Sequence, residues 1–102
     1  MWFLAYTVRI GRLALKHLGS LRAFDRRRIL DAMSNQLAHE PTKWTTHRKQ
    51  LVGLSPAFEH VQPVWQLRVG DHRVIYDVDD DAMAIIVRAV LKKGRRTTKE
   101  IT

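Results

Sequence analysis

Apolar and polar residues alternate on both sides of Gly70-Asp71, through Val64-Trp65-Gln66-Leu67-Arg68-Val69 and His72-Arg73-Val74-Ile75-Tyr76-Asp77-Val78. Such alternation predicts two half-buried strands, and glycine at the first central position suits a tight primed turn. The turn pairs Val69 with His72, Arg68 with Arg73, Leu67 with Val74, Gln66 with Ile75 and Trp65 with Tyr76. Every second pair is apolar or aromatic and would cover a core. The other face sets Arg68 directly against Arg73, which is destabilising unless an acid or a bound anion lies between them. The hairpin therefore predicts an anion-binding surface.

The same pattern places the other elements. Trp2, Leu4, Tyr6, Val8 and Ile10 share one side of a strand that Gly11 ends. Leu13, Ala14 and Leu18 mark a short helix from Arg12, closed by Gly19-Ser20. A second helix is expected from Asp25 as N-cap, with Phe24 and Ile29 as a hydrophobic staple. Ile29, Leu30, Met33 and Leu37 continue it at helical spacing until Pro41. Residues 40–63 read as polar and irregular, with Pro56 and Pro63 discouraging regular structure. Asp79-Asp80-Asp81 reads as a charged turn, and Met83 to Leu91 as a further apolar strand. Thr97 to Glu100 has capping-box spacing for a last helical turn.

Length and charge narrow the function. A chain of 102 residues suits one domain, 1–102, with a single core that needs no metal or disulfide. It contains no cysteine, which removes thiolate chemistry and suits a reducing cytoplasm. The apolar opening is too short for a membrane span and has no basic segment before it, so neither a signal peptide nor a membrane partner is expected. The net charge is +8, with seven of the eighteen basic residues between Arg9 and Arg28 and six between Arg88 and Lys99. That favours a polyanionic partner, nucleic acid or an acidic protein segment, over a merely soluble basic protein.

Register turns the pattern into a site. Keeping Val74, Tyr76 and Val78 on the core side favours pairing Val78 with Met83, Tyr76 with Ile85, Val74 with Val87 and Arg73 with Arg88. Arg68, Arg73 and Arg88 would then form a row across three strands, suited to gripping phosphate oxygens. Asp77, Glu59 or Asp71 could instead neutralise part of that row.

The hairpin resembles the central hairpin of the RelE/ParE toxin superfamily. The element order agrees: strand, two helices ending at Glu40-Pro41, a basic loop ending in Lys49-Gln50-Leu51-Val52-Gly53, then three strands with Val87-Arg88-Ala89-Val90 and a basic tail. The resemblance covers nearly the whole chain. It implies an α+β fold of order β-α-α-β-β-β, a small, mainly antiparallel four-stranded sheet with two N-terminal helices packed on one face. For the RelE branch it implies a toxin that cleaves messenger RNA on the ribosome, needs no cofactor and is silenced by a cognate antitoxin. The ParE branch instead implies a non-enzymatic inhibitor of DNA gyrase. A degenerate module that only binds RNA or antitoxin is a third possibility.

By resemblance, Arg73 occupies the place of the phosphate-stabilising arginine, with Arg68 beside it. Two positions that carry lysines in RelE-type toxins fall on Val64 and Gln66. The basic position after the last strand falls at Lys92 and Lys93. Arg88, Arg95, Arg96, Arg48 and Lys49 complete the expected RNA-binding set. The usual tail tyrosine has no counterpart, and Leu91 replaces the glycine of the post-strand motif. The expected partners are an acidic antitoxin, messenger RNA and ribosomal RNA.

Cleavage through the ribose 2′-hydroxyl needs in-line positioning, proton removal, charge stabilisation at phosphorus and protonation of the leaving 5′-oxygen. Of the histidines with ordinary titration near neutral pH, His72 has core-side parity and reads as a packed edge residue. His47 and His60 lie in the irregular segment, where a solvated loop histidine is the default and reach to the sheet face the alternative. Their spacing fits no metal motif. Trp65 and Tyr76 read as a core pair. Trp44 could stack on a base, though packing against the core edge is favoured. Arg26-Arg27-Arg28 opens a helix against its dipole, a surface for ribosomal RNA or antitoxin, or a plain solvated face.

Overall fold

The computed structural model describes residues 5–38, 40–53 and 55–93. The elements are β1 (Thr7–Ile10), α1 (Arg12–Gly19), α2 (Ala23–Leu37), β2 (Arg48–Gln50), β3 (Trp65–Val69), β4 (His72–Asp79) and β5 (Ala84–Lys92). The sheet has five strands in the order β1-β5-β4-β3-β2. Among the described residues only the β1–β5 pair is parallel. The expected four strands become five because three residues of the polar segment, Arg48–Gln50, pair with Leu67, Gln66 and Trp65.

Tyr6, Val8 and Ile10 point toward the core as their alternation requires; Trp2 and Leu4 lie outside the described residues. Gly11 is set by contact: a Cβ there would meet the Val87 carbonyl oxygen at 2.8 Å, which its own N–H already uses at 2.8 Å. The second helix starts three residues earlier than expected, with Arg22 rather than Asp25 as N-cap and Asp25 inside the first turn. Phe24 is exposed, so the anticipated staple to Ile29 does not form, and Leu30 is also largely outside the core. Arg26 donates to the carbonyls of Leu18 and Leu21, satisfying the C-terminal end of α1.

Ala14, Leu18, Ile29, Met33 and Leu37 pack on one sheet face against Trp65, Leu67, Val74, Tyr76, Ile85, Val87 and Val90. Trp65 and Tyr76 are the expected buried cross-strand pair. The Tyr76 hydroxyl donates to the Pro41 carbonyl, and burial raises its pKa well above the ordinary tyrosine value. A smaller cluster of Leu51, Val64, Ile75 and Ala89 covers part of the opposite face, with Leu13, Phe58 and Leu91 against it.

The β3–β4 register is the one the sequence predicts. The β4–β5 register is not. Val78 pairs with Ile85 and Tyr76 with Val87, and then an irregularity shifts the ladder so that Ile75 faces Ala89 and Arg73 faces Leu91. Arg88 is the extra residue of this bulge. The bulge lets Val87 and Val90, three apart, both face the helices. An unbroken strand would turn one of them outward.

Candidate functional site

The bulge removes Arg88 from the expected arginine row. Its guanidinium donates to Asp77 Oδ2 at 2.7 Å and Oδ1 at 3.2 Å, and Glu59 lies 3.9 Å away. The Asp77 side chain is 2% exposed and also accepts the Val61 N–H at 2.9 Å. Arg88 thus closes the segment around residues 59–61 onto β4, with its charge already matched. A depression of about 390 Å³ beside it is lined by Arg12, Lys16, Leu13, Phe58 and Glu59.

Arg48 was expected among the RNA-binding residues, yet it pairs with Leu67 on the helix side and is 8% exposed. Its guanidinium donates to the carbonyls of Gln36, in the last turn of α2, and of Glu40, just beyond it. Carbonyls of a last turn lack partners along the helix, so the buried cation acts as a C-terminal cap. In a three-residue strand, alternation puts Arg48 inward and its neighbours outward.

Arg68 and Arg73 do stand opposite each other on the face away from the helices. Arg68 donates to the Thr46 carbonyl at 3.1 Å, and Arg73 to the carbonyls of Gly70 and His72 at 3.1 and 3.0 Å. Partial burial, and next the Arg68 charge, lower the pKa of Arg73 from its ordinary value, while Asp71 opposes them. Their side-chain bonds go to backbone carbonyls, and no carboxylate lines the depression they share. An anion between them would relieve the repulsion.

The floor around this pair is a depression of about 160 Å³ lined by Thr45, Thr46, His47, Arg48, Lys49, Gln66, Arg68 and Arg73. Lys49 pairs with Gln66 and is exposed at its rim. The Arg68 N–H donates to the His47 carbonyl at 2.7 Å, which extends the β2–β3 ladder by one residue. His47, Arg68 and Arg73 therefore lie in one row across three strands. From sequence His47 reads as a loop residue; the signal that places it is the odd-residue alternation Thr45-His47-Lys49.

A second depression of about 370 Å³ shares His47 and Arg68 and runs to Arg28, Gln36 and Gly70. Gly70 has φ +58°, and a Cβ there would meet the Arg28 guanidinium at 2.8 Å. The turn glycine thus admits both the backbone and the arginine of α2. Within the expected Arg26-Arg27-Arg28 surface, only Arg28 joins the site. Lys92 pairs with His72 at the helix-side parity, and the Lys93 N–H donates to the Asp71 carbonyl at 2.6 Å, beside the hairpin turn. Arg95, Arg96 and Thr97 to Glu100 lie outside the described residues. His72 is buried, but at the start of the central strand β4, paired with Val69 and Lys92, rather than at a sheet edge. Trp44 is exposed yet meets Trp65 edge to face, with centroids 6.0 Å apart. Among the described residues no group of His, Asp and Glu could hold a metal ion, and no helix is long and apolar enough to cross a membrane.

Residues 8–96 match the model of the ParE toxin of type II toxin–antitoxin systems, parDE. The chain belongs to this family, within the RelE/ParE superfamily. It is a toxin of a type II toxin–antitoxin system. No curated protein sequence matches it. Its fold is similar to that of the archaeal RelE of the RelE–RelB complex from Pyrococcus horikoshii OT3, at 28% identity and TM-score 0.67, covering 89% of this chain and 98% of that one. It is also similar to a chain of the RelBE2 toxin–antitoxin complex of Mycobacterium tuberculosis, at 21% identity and TM-score 0.67, over 87% and 99% of the two chains. The isolated RelE toxin of E. coli gives 20% identity and TM-score 0.66, over 93% and 92%. The last two likenesses concern the fold alone.

Proposed function

We propose that this toxin cuts messenger RNA on the ribosome, gripping the scissile phosphate between Arg68 and Arg73. The observation that carries this reading is the facing pair of guanidiniums, unmatched by any carboxylate in the depression they line. Fixed donors aimed at developing phosphoryl charge need no rearrangement during reaction, and losing one costs about 2.7–4 kcal/mol of barrier. Lys49, Lys93 and Arg28 extend the positive surface along which a strand would run. Ordering of the RNA by the ribosome supplies the in-line geometry that so shallow a site lacks. An acidic antitoxin, as in the RelE–RelB complexes, would cover this surface and silence the toxin in the cytoplasm.

A gyrase-inhibiting reading rests on a separate observation: the matching family model is that of ParE, and Val64 and Gln66 replace the lysines of RelE-type toxins. Purified toxin incubated with ribosomes carrying a defined message, beside a supercoiling assay, separates the two. Cleavage that requires the ribosome and is lost in Arg73→Ala supports the first reading.

A further inference from the structure

We infer that His47 is the proton acceptor of the cleavage reaction, an inference that rests on the ribonuclease reading of the Arg68–Arg73 site. The cross-strand row is the basis. Arg68 faces Arg73 in register, and the Arg68 N–H holds the His47 carbonyl at 2.7 Å, so the three residues follow one another from the residue just before β2 across β3 and β4. His47 is also the residue that, with Arg68, lines both depressions. A strand whose phosphate sits between the arginines and whose chain continues toward Arg28 passes the imidazole.

The loop holds His47 by its backbone and leaves its ring free. Its N–H donates to Thr45 Oγ1 at 3.1 Å, which also accepts the Arg48 N–H at 3.1 Å. The side chain is exposed. The charged groups that line the two depressions with it are Arg48 and Lys49 of β2, Arg68 of β3, Arg73 of β4 and Arg28 of α2, and no carboxylate lines either depression. Guanidinium and ammonium groups suit phosphate binding, and imidazole is the side-chain type among these that serves as a proton acceptor in catalysis.

The step balances without any further reagent. An imidazole nitrogen takes the ribose 2′-hydroxyl proton, and the 2′-oxygen forms a bond to the adjacent phosphorus. The bond from phosphorus to the 5′-oxygen breaks, and that oxygen takes a proton from water. The products are a 2′,3′-cyclic phosphate and a free 5′-hydroxyl. The imidazolium returns its proton to solvent.

The test is single-turnover cleavage of a defined message on programmed ribosomes by the whole protein, its His47→Gln and His47→Ala variants, between about pH 5.5 and 8.5. Both variants should melt like the parent, because the loop is held by backbone groups. The parent rate should climb with pH and then level. His47→Gln should be slower by about 10²–10⁴-fold and should lose that climb. Added imidazole should restore part of the His47→Ala rate and none of the Arg73→Ala rate. A His47→Gln rate within about threefold of the parent, or a slower rate with the same pH dependence, would overturn the assignment while leaving the Arg68–Arg73 reading intact. A parent protein that leaves ribosome-bound message uncut would refute both.

Discussion

Replacing Arg88 by methionine separates a structural arginine from a phosphate-binding one. The Asp77 carboxylate beneath it is 2% exposed, and Arg88 supplies two of the three hydrogen bonds it receives, with the Val61 N–H the third. Removing one partner of such a pair strands a buried charge and costs about 3–5 kcal/mol. At about 4–8 °C per kcal/mol for a domain near this size, Arg88→Met should lower the melting midpoint by about 12 °C or more. Adding Asp77→Leu removes the stranded charge and should recover much of that loss. Recovery stays incomplete because the Val61 N–H then lacks an acceptor, worth about 1–3 kcal/mol. Thermal and urea unfolding followed by circular dichroism read the parent and both variants. Per folded molecule, the Arg88→Met and double variants should keep their toxicity. An Arg88→Met protein as stable as the parent but no longer toxic would refute the structural role and return Arg88 to the anion site.

Four further outcomes are expected. Arg73→Ala should reduce toxicity by about tenfold or more with an unchanged melting curve; undiminished toxicity at equal expression would exclude it as the clamp. Arg48→Met should destabilise rather than inactivate, by about 1.5–3 kcal/mol for each lost charged hydrogen bond, read by urea unfolding; a stable but inactive variant would put Arg48 in the RNA site. Gly70→Ala should cost about 1–2 kcal/mol for its left-handed backbone, whereas the crowding of Arg28 should weaken RNA binding, measured by fluorescence anisotropy. Stability should also fall on acidification. His17 accepts the Val90 N–H at 3.0 Å, and burial, then Lys16, lower its pKa from 6.5. The unfolded chain therefore binds the proton first, and stability declines as pH drops through 6.5 toward the folded value; a His17→Gln variant with the same slope would contradict this.

The hairpin was legible because Gly70-Asp71 fixes its register and a one-residue slip would expose a whole face. The β4–β5 pairing was not, because parity counting assumes an unbroken period of two. The inward spacing of Val87 and Val90 was the visible clue that the period breaks. Arg88 then meets Asp77 instead of Arg73. Strand β2 escaped notice because three residues carry too little pattern to stand out from a polar segment. Without it, Arg48 does not read as a buried partner of the α2 carbonyls, nor His47 as a residue next to the β2–β3 ladder. Arg28 reads only as part of a basic run, since nothing local says which of three arginines on α2 reaches the hairpin turn.

Primer extension on messages from cells expressing the toxin, run beside gyrase supercoiling with the purified protein, tests the ribonuclease reading most directly. Discrete new 5′ ends should appear within translated regions, vanish when translation initiation is blocked, and be absent with Arg73→Ala, while supercoiling proceeds unaffected. Intact messages together with inhibited supercoiling would contradict ribosomal cleavage and assign the arginine pair to gyrase.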